Sequence, residues 1–149
     1  GIANKIPEAA KEIGTYLAIS LHAPSDDIRE LIMPINKKFK IKNLIKQCKY
    51  YSSIVKEKIT LEYVMLRGVN DNVKCAKQLV KLMAQFPCKV NLIEFNPWPG
   101  VQYLPTKRED MEKFGNIIQK AGYVATIRRS RGQDIFGACG QLRTESSKK

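Results

Sequence analysis

Strand-like and helix-like segments alternate along this 149-residue chain, which predicts an α/β fold built on parallel strands. Three observations carry that expectation. Short apolar runs of strand length recur at residues 15–21 (TYLAISL), 58–66 (KITLEYVML) and 89–95 (KVNLIEF). Between them, apolar side chains repeat at helical spacing, as at Ile41, Leu44, Ile45, Cys48 and Tyr51. Turn chemistry separates the two kinds of segment, and nothing along the chain marks a linker or a second domain.

Residues 1–14 carry the first helical pattern, through Ile6, Ala9, Ala10 and Ile13. The run 15–21 follows as a buried strand that ends abruptly at His22-Ala23-Pro24. Ser25 then offers a helix N-cap, with Asp26 and Asp27 where the helix dipole favours negative charge. Cys48 belongs to the core stripe of the next helix. Residues 58–66 alternate as a strand, and the turn 68–72 (GVNDN) caps the following helix through Asp71 or Asn72. That helix is expected to bury Val73, Ala76, Leu79, Val80 and Met83. After the strand 89–95, residues 96–105 (NPWPGVQYLP) hold too much Pro and Gly to be regular and form a loop on the functional side. Thr106 and Glu109 have the spacing of a capping box, opening a helix through Met111, Phe114, Ile117 and Ile118 that stops at Ala121-Gly122. A last strand occupies 123–128. In a parallel α/β sheet or barrel the loops after the strands share one face, so His22, Arg67-Gly68, Asn96 and the segment after Arg128 are expected to converge there.

Composition narrows the class of partner. A hydrophobic content of 44% fits a folded core, and Lys plus Arg total 26 against 14 acidic residues, a formal charge of +12. Such an excess favours a polyanion, with nucleic acid first and an acidic membrane second; lysines on solvated helix faces are the plain alternative. No apolar run approaches the roughly 20 residues that cross a bilayer, and no signal segment opens the chain, so a cytoplasmic, membrane-free protein is expected. The first residue is Gly, and the helical pattern starts without a polar leader, as in an excerpt from a longer chain. The four cysteines, Cys48, Cys75, Cys88 and Cys139, contain no C-x-x-C pair, which argues against a zinc site or a disulfide scaffold.

The densest chemistry lies in residues 128–142 (RRSRGQDIFGACGQL). Arg128, Arg129 and Arg131 raise the local potential and suit phosphate contacts. Cys139 sits between Ala138 and Gly140 without a bulky neighbour, near cationic charge that lowers a thiol's pKa. Residue chemistry alone leaves two readings open there, a nucleophile or a small buried cysteine. His22, the only histidine, is equally open to ligand contact or a structural hydrogen bond. A hydrolase using His22 lacks the partners that such chemistry needs. Asn96 precedes Pro97, which holds its backbone extended and aims its amide off a strand end. Trp98 could stack on a base or pin its loop. Glu62, mid-strand, has no assigned role.

The words at 17–24 (LAISLHAP), 33–36 (MPIN), 62–66 (EYVML), 68–71 (GVND), 88–92 (CKVNL), 95–100 (FNPWPG) and 138–142 (ACGQL) occur in an order that resembles the RlmN family of RNA adenine-C2 methyltransferases. The resemblance covers nearly the whole chain. It implies the C-terminal portion of a partial (βα)-barrel of the radical SAM type, with a methyl-carrier cysteine loop at 129–142. It implies S-adenosylmethionine (SAM) and a 4Fe-4S cluster as cofactors, 23S rRNA and tRNA as partners, and an external electron donor; no obligate protein partner is implied. Cys139 matches the family's S-methylcysteine intermediate, and Ser20, Leu21, His22 and Asn96 match SAM-contacting positions. Arg128, Arg129, Arg131 and Trp98 are the candidate RNA contacts.

Some family features are missing from these 149 residues. The C-x-x-x-C-x-x-C cluster motif, the Gly-Glu segment that touches SAM, the acid/base glutamate and the resolving cysteine are all expected in an N-terminal domain and cluster-binding half outside this chain. The chain alone is therefore expected to be inactive, and poorly soluble or partly unfolded because of its open sheet edges. A non-catalytic basic RNA-binding fragment, or a relic of a split gene, is the alternative. Gln133, Phe136, Gly137 and Glu94 depart from the family pattern and affect loop detail.

Overall fold

A computed structural model describes residues 17–33 and 39–129. The expected first helix and the whole of 130–149, with Arg131 and Cys139, lie outside the described residues. The order of elements is β1 (Ala18–Ser20), α1 (Asp26–Ile32), α2 (Ile41–Ile54), β2 (Ile59–Met65), α3 (Val73–Met83), β3 (Cys88–Glu94), α4 (Arg108–Lys120) and β4 (Ala125–Arg128). The strands form one parallel sheet in the order β1-β2-β3-β4, each joined to the next through helix, as the α/β reading expects.

The two faces of this sheet differ in chemistry. Ile19, Leu61, Val90 and Ala125 are in register across the four strands and lie in the core with Leu44, Cys48, Leu79, Met83, Phe114 and Ile118 of the helices. One residue along, Ser20, Glu62, Asn91 and Thr126 form a polar row on the opposite face. A parallel sheet covered by helices on both sides would be apolar on both. Helices on one face and polar residues on the other instead match the wall of a barrel, whose inner side holds a site. A second apolar cluster, including Ala23, Ile32, Val64, Leu66, Ile93 and Phe95, closes the region around the strand ends.

Three local expectations are corrected. Val73 is 50% exposed, because the buried stripe of α3 centres on Cys75, Ala76, Leu79, Leu82 and Met83 and leaves the first residue at its margin. The capping box does not form: α4 starts from Lys107 without a side-chain cap. The Thr106 hydroxyl donates to Asp71 Oδ2 (2.8 Å), a tertiary partner that competes successfully with its own helix. The run at 58–66 is buried on nearly every position, so β2 lacks the alternation its sequence suggests. Asn72 is the cap of α3, accepting from the Cys75 N–H, while Asp71 accepts from the Gly68 N–H.

Gly115 lies mid-helix in α4, where a Cβ would sit 3.5 Å from Leu92 Cδ1 and 3.7 Å from Ile127 Cδ1, ordinary packing distances. Gly122 follows the same helix at φ +99°, a backbone that L side chains resist. Gly115→Ala should therefore stabilise the protein by about 0.5–1 kcal/mol, and Gly122→Ala should destabilise it by a similar amount. Urea unfolding midpoints of the two variants should move in opposite directions.

Candidate functional site at the strand ends

The end of β1 turns sharply because His22 adopts φ 57°, in the left-handed region that a non-glycine residue enters at a cost. Hydrogen bonds hold it there. The Leu21 and His22 N–H groups both donate to the Glu62 carbonyl (2.9 and 3.2 Å). The Val64 N–H donates to His22 Nδ1 (3.0 Å). Asn70, fully buried, donates through Nδ2 to the carbonyls of His22 and Val64 (2.8 Å each) and accepts from the Leu66 N–H (2.7 Å). The Tyr63 hydroxyl donates to the Asn70 carbonyl (2.6 Å).

Arg29 of α1 completes the clamp. Its guanidinium is buried and donates to the carbonyls of Leu21 (3.0 Å), Ser20 (3.2 Å) and Phe39 (3.5 Å). Neither Arg29 nor Asn70 was nominated from the sequence. Each is an ordinary polar residue in a helix or turn, and only the proximity of distant strand ends gives it this role. Ser25 does occupy the N-cap of α1 but makes no side-chain capping bond there.

His22 is completely buried, and burial, with the charge of Arg29, pushes its pKa down to about 3. Because Nδ1 accepts from Val64, the neutral ring carries its proton on Nε2, which has no hydrogen-bond partner among the described residues. The structural hydrogen bond is thus present, and one donor is left over. Leu21 is also buried, so neither side chain presents a surface.

Asn96 is half-buried just past the end of β3. Trp98 is half-buried too, edge-on to Phe95 with ring centroids 5.6 Å apart, a contact that pins its loop. Arg67 donates through Nε to the Pro105 carbonyl (2.9 Å) and ties that loop to the end of β2. Arg128 and Arg129 are exposed at the end of β4. Glu62 is half-buried on the polar row; burial raises its pKa and the charge of Arg128 opposes that rise. His22, Arg67-Gly68 and Asn96 therefore do follow the same ends of β1, β2 and β3, as the alternating pattern predicts. Of the segment after Arg128 only Arg129 is described, at the matching end of β4.

Cys48, Cys75 and Cys88 are free thiols buried in the core. Burial pushes Cys48 and Cys88 up to about 12 and also raises Cys75, so none of the three is a ready nucleophile. Among the described residues no group of His, Cys, Asp and Glu could hold a metal ion, and no helix is long and apolar enough to cross a membrane.

This architecture is that of radical SAM enzymes. A radical SAM methyltransferase from Sphaerobacter thermophilus superposes with a TM-score of 0.87 at 39% identity, over 95% of this chain and 42% of that one. A domain of pyruvate-formate lyase-activating enzyme from Bacteroides vulgatus shares the fold at TM-score 0.65 and 16% identity, over 83% of this chain and 73% of that one. The chain is, moreover, homologous to a segment of the RlmN family. The dual-specificity RNA methyltransferases RlmN of Mesorhizobium japonicum and Rhizobium meliloti are each 50% identical to it over 149 residues, 99% of this chain. It spans 36% of the length of these relatives. No family model matches.

Two predictions follow from the clamp. Removing the Arg29 guanidinium leaves buried carbonyls unsatisfied at about 1–3 kcal/mol each, so Arg29→Met should lower stability by roughly 3 kcal/mol or more in chemical denaturation. His22 has its pKa depressed from 6.5 to about 3, so the unfolded chain binds the extra proton first. Its stabilising contribution is complete above pH 6.5 and is lost as pH falls toward 3, at up to about 1.4 kcal/mol per pH unit. Replacing His22 with Gln should flatten the measured stability slope between these two pKa values.

Proposed function

We propose that this chain is the methyl-relay part of a longer radical SAM RNA methyltransferase. The complete enzyme methylates carbon 2 of an adenine in 23S rRNA and of the adenine next to the anticodon in tRNAs. The observation that carries this reading is the 50% identity to RlmN across nearly the whole chain, over a sheet that keeps a polar face and clamped strand ends.

The described residues fit SAM. The Leu21 and His22 N–H groups are already engaged, and the carbonyls of Ser20 and Leu21 accept from Arg29 and that of His22 from Asn70. The Nε2–H of His22 has no protein partner among the described residues but is buried, so a ligand would meet this turn through its backbone carbonyls. Ser20, Leu21, His22 and Asn96 would hold SAM at this rim, through backbone and polar atoms rather than the Leu21 side chain. When bound, SAM supplies an electrophilic methyl group and, on reductive cleavage by the external electron donor, a hydrogen-abstracting radical. A 4Fe-4S cluster does not fit the described residues, and its thiolate ligands belong to the rest of the enzyme.

Cys139 is the relay. This role comes from the match of Cys139 to the methyl-carrier position of the RlmN family, and the burial of Cys48, Cys75 and Cys88 in the core is consistent with it. Its sulfur takes up the methyl group as a thioether and carries that carbon to carbon 2 of adenine, which is too electron-poor to attack a methyl sulfonium itself. Arg128, Arg129 and Arg131 hold RNA phosphates, and Trp98 is the candidate aromatic contact. The setting is the cytoplasm, and the segment by itself is inactive because the cluster ligands lie elsewhere.

In the complete enzyme, reconstituted anaerobically with iron, sulfide and SAM, mass spectrometry should find a methylated thiol on the peptide bearing Cys139. Cys139→Ala should abolish adenine C2 methylation. Undiminished modification by that variant would end this reading.

A further inference from the structure

The helices on the outer side of the sheet differ sharply in charge. α2 (IKNLIKQCKYYSSI) and α3 (VKCAKQLVKLM) contain Lys42, Lys46, Lys49, Lys74, Lys77 and Lys81 and no acidic residue. All six lysines are exposed. α4 (REDMEKFGNIIQK) packs on the same core yet balances Glu109, Asp110 and Glu112 against Arg108, Lys113 and Lys120. The demand for a solvated outer face is the same for all three helices, so solvation does not account for the segregation.

The lysines of α2 also line a cavity. A groove of ≈ 700 Å³ runs beside α2, with Lys42, Lys46 and Lys49 along it, Ile41 and Ile45 among its apolar lining, and Gln85 beyond the end of α3. The spacing of the lysines, four and three residues, places them on one stripe about 10 Å long. Asp26 also lines the groove, but its Oδ1 accepts from the Ile41 N–H (2.8 Å) and its charge acts on buried Arg29. The groove therefore presents net positive charge over a hollow.

We propose that this groove binds the phosphate backbone of RNA as a docking surface separate from the strand-end site. The proposal rests on RNA being the substrate, as argued above. A membrane is the poorer match, because an interfacial helix must turn its apolar stripe outward. Here those stripes, including Leu44, Cys48 and Tyr51 of α2 and Ala76, Leu79 and Met83 of α3, are buried in the core. Phosphate contacts from lysine need only charge and reach, and they are independent of sequence.

The test uses the complete enzyme and a fluorescein-labelled, unmodified tRNA transcript, with binding read by anisotropy across a KCl series. The Lys42→Glu/Lys46→Glu/Lys49→Glu variant should bind at least about tenfold more weakly. Its plot of log affinity against log salt should be shallower by about two. SAM affinity by equilibrium dialysis and the thermal midpoint should be unchanged, since the three side chains are exposed. The control Lys113→Glu/Lys120→Glu on α4 should bind RNA almost as the parent does. Unchanged affinity and slope in the triple variant, or an equal loss in the α4 control, would overturn the proposal. So would binding of the parent to phosphatidylserine vesicles that the triple variant loses while keeping its RNA affinity. Failure of the parent to bind RNA at all would take down the reading of the substrate as well, and is thereby distinguished from failure of the groove alone.

Discussion

The turn after β1 depends on a buried polar clamp, and the site depends on that turn. His22 sits in a left-handed conformation with no glycine to ease it, held by Val64, Asn70 and the carbonyl of Glu62. Such a backbone persists only where its surroundings over-determine it. Arg29 adds a buried cation whose donors point at the last carbonyls of β1. The cost of burying that charge is offset by several carbonyl acceptors and by Asp26, whose charge favours the guanidinium.

This arrangement links stability to binding geometry. The same hydrogen bonds that join the ends of β1 and β2 also determine which polar atoms remain for a ligand. His22 is kept neutral by burial and by Arg29, and its accepting Nδ1 forces the proton onto Nε2. A leftover buried donor is costly in a folded protein unless something meets it.

Outside the rim, the fold separates its tasks by face. One side of the sheet is spent on the helix core, where the three described cysteines behave as small apolar groups. The other keeps Ser20, Glu62, Asn91 and Thr126 in one row, available to the barrel interior. Charge on the outer helices has no part in either task. Its concentration on α2 and α3 lies apart from the candidate site at the strand ends.

Local pattern alone determined the order of strands and helices, the core stripe of α2 and the family likeness. Periodicity and motif order survive without knowledge of what packs against what. Strand ends on a shared face followed as well, because a parallel α/β arrangement leaves few alternatives. Tertiary structure decided the rest. Thr106 bonds Asp71 rather than capping its helix, Val73 lies outside the stripe, and β2 is buried on positions that alternate in sequence. Arg29 carries no sequence signal of its own and Asn70 reads only as part of the 68–72 turn and family word, since their function consists of satisfying carbonyls and amides brought together from distant strands. Hydrogen-bond satisfaction in a buried site is a property of three-dimensional neighbours, and a linear pattern does not contain it.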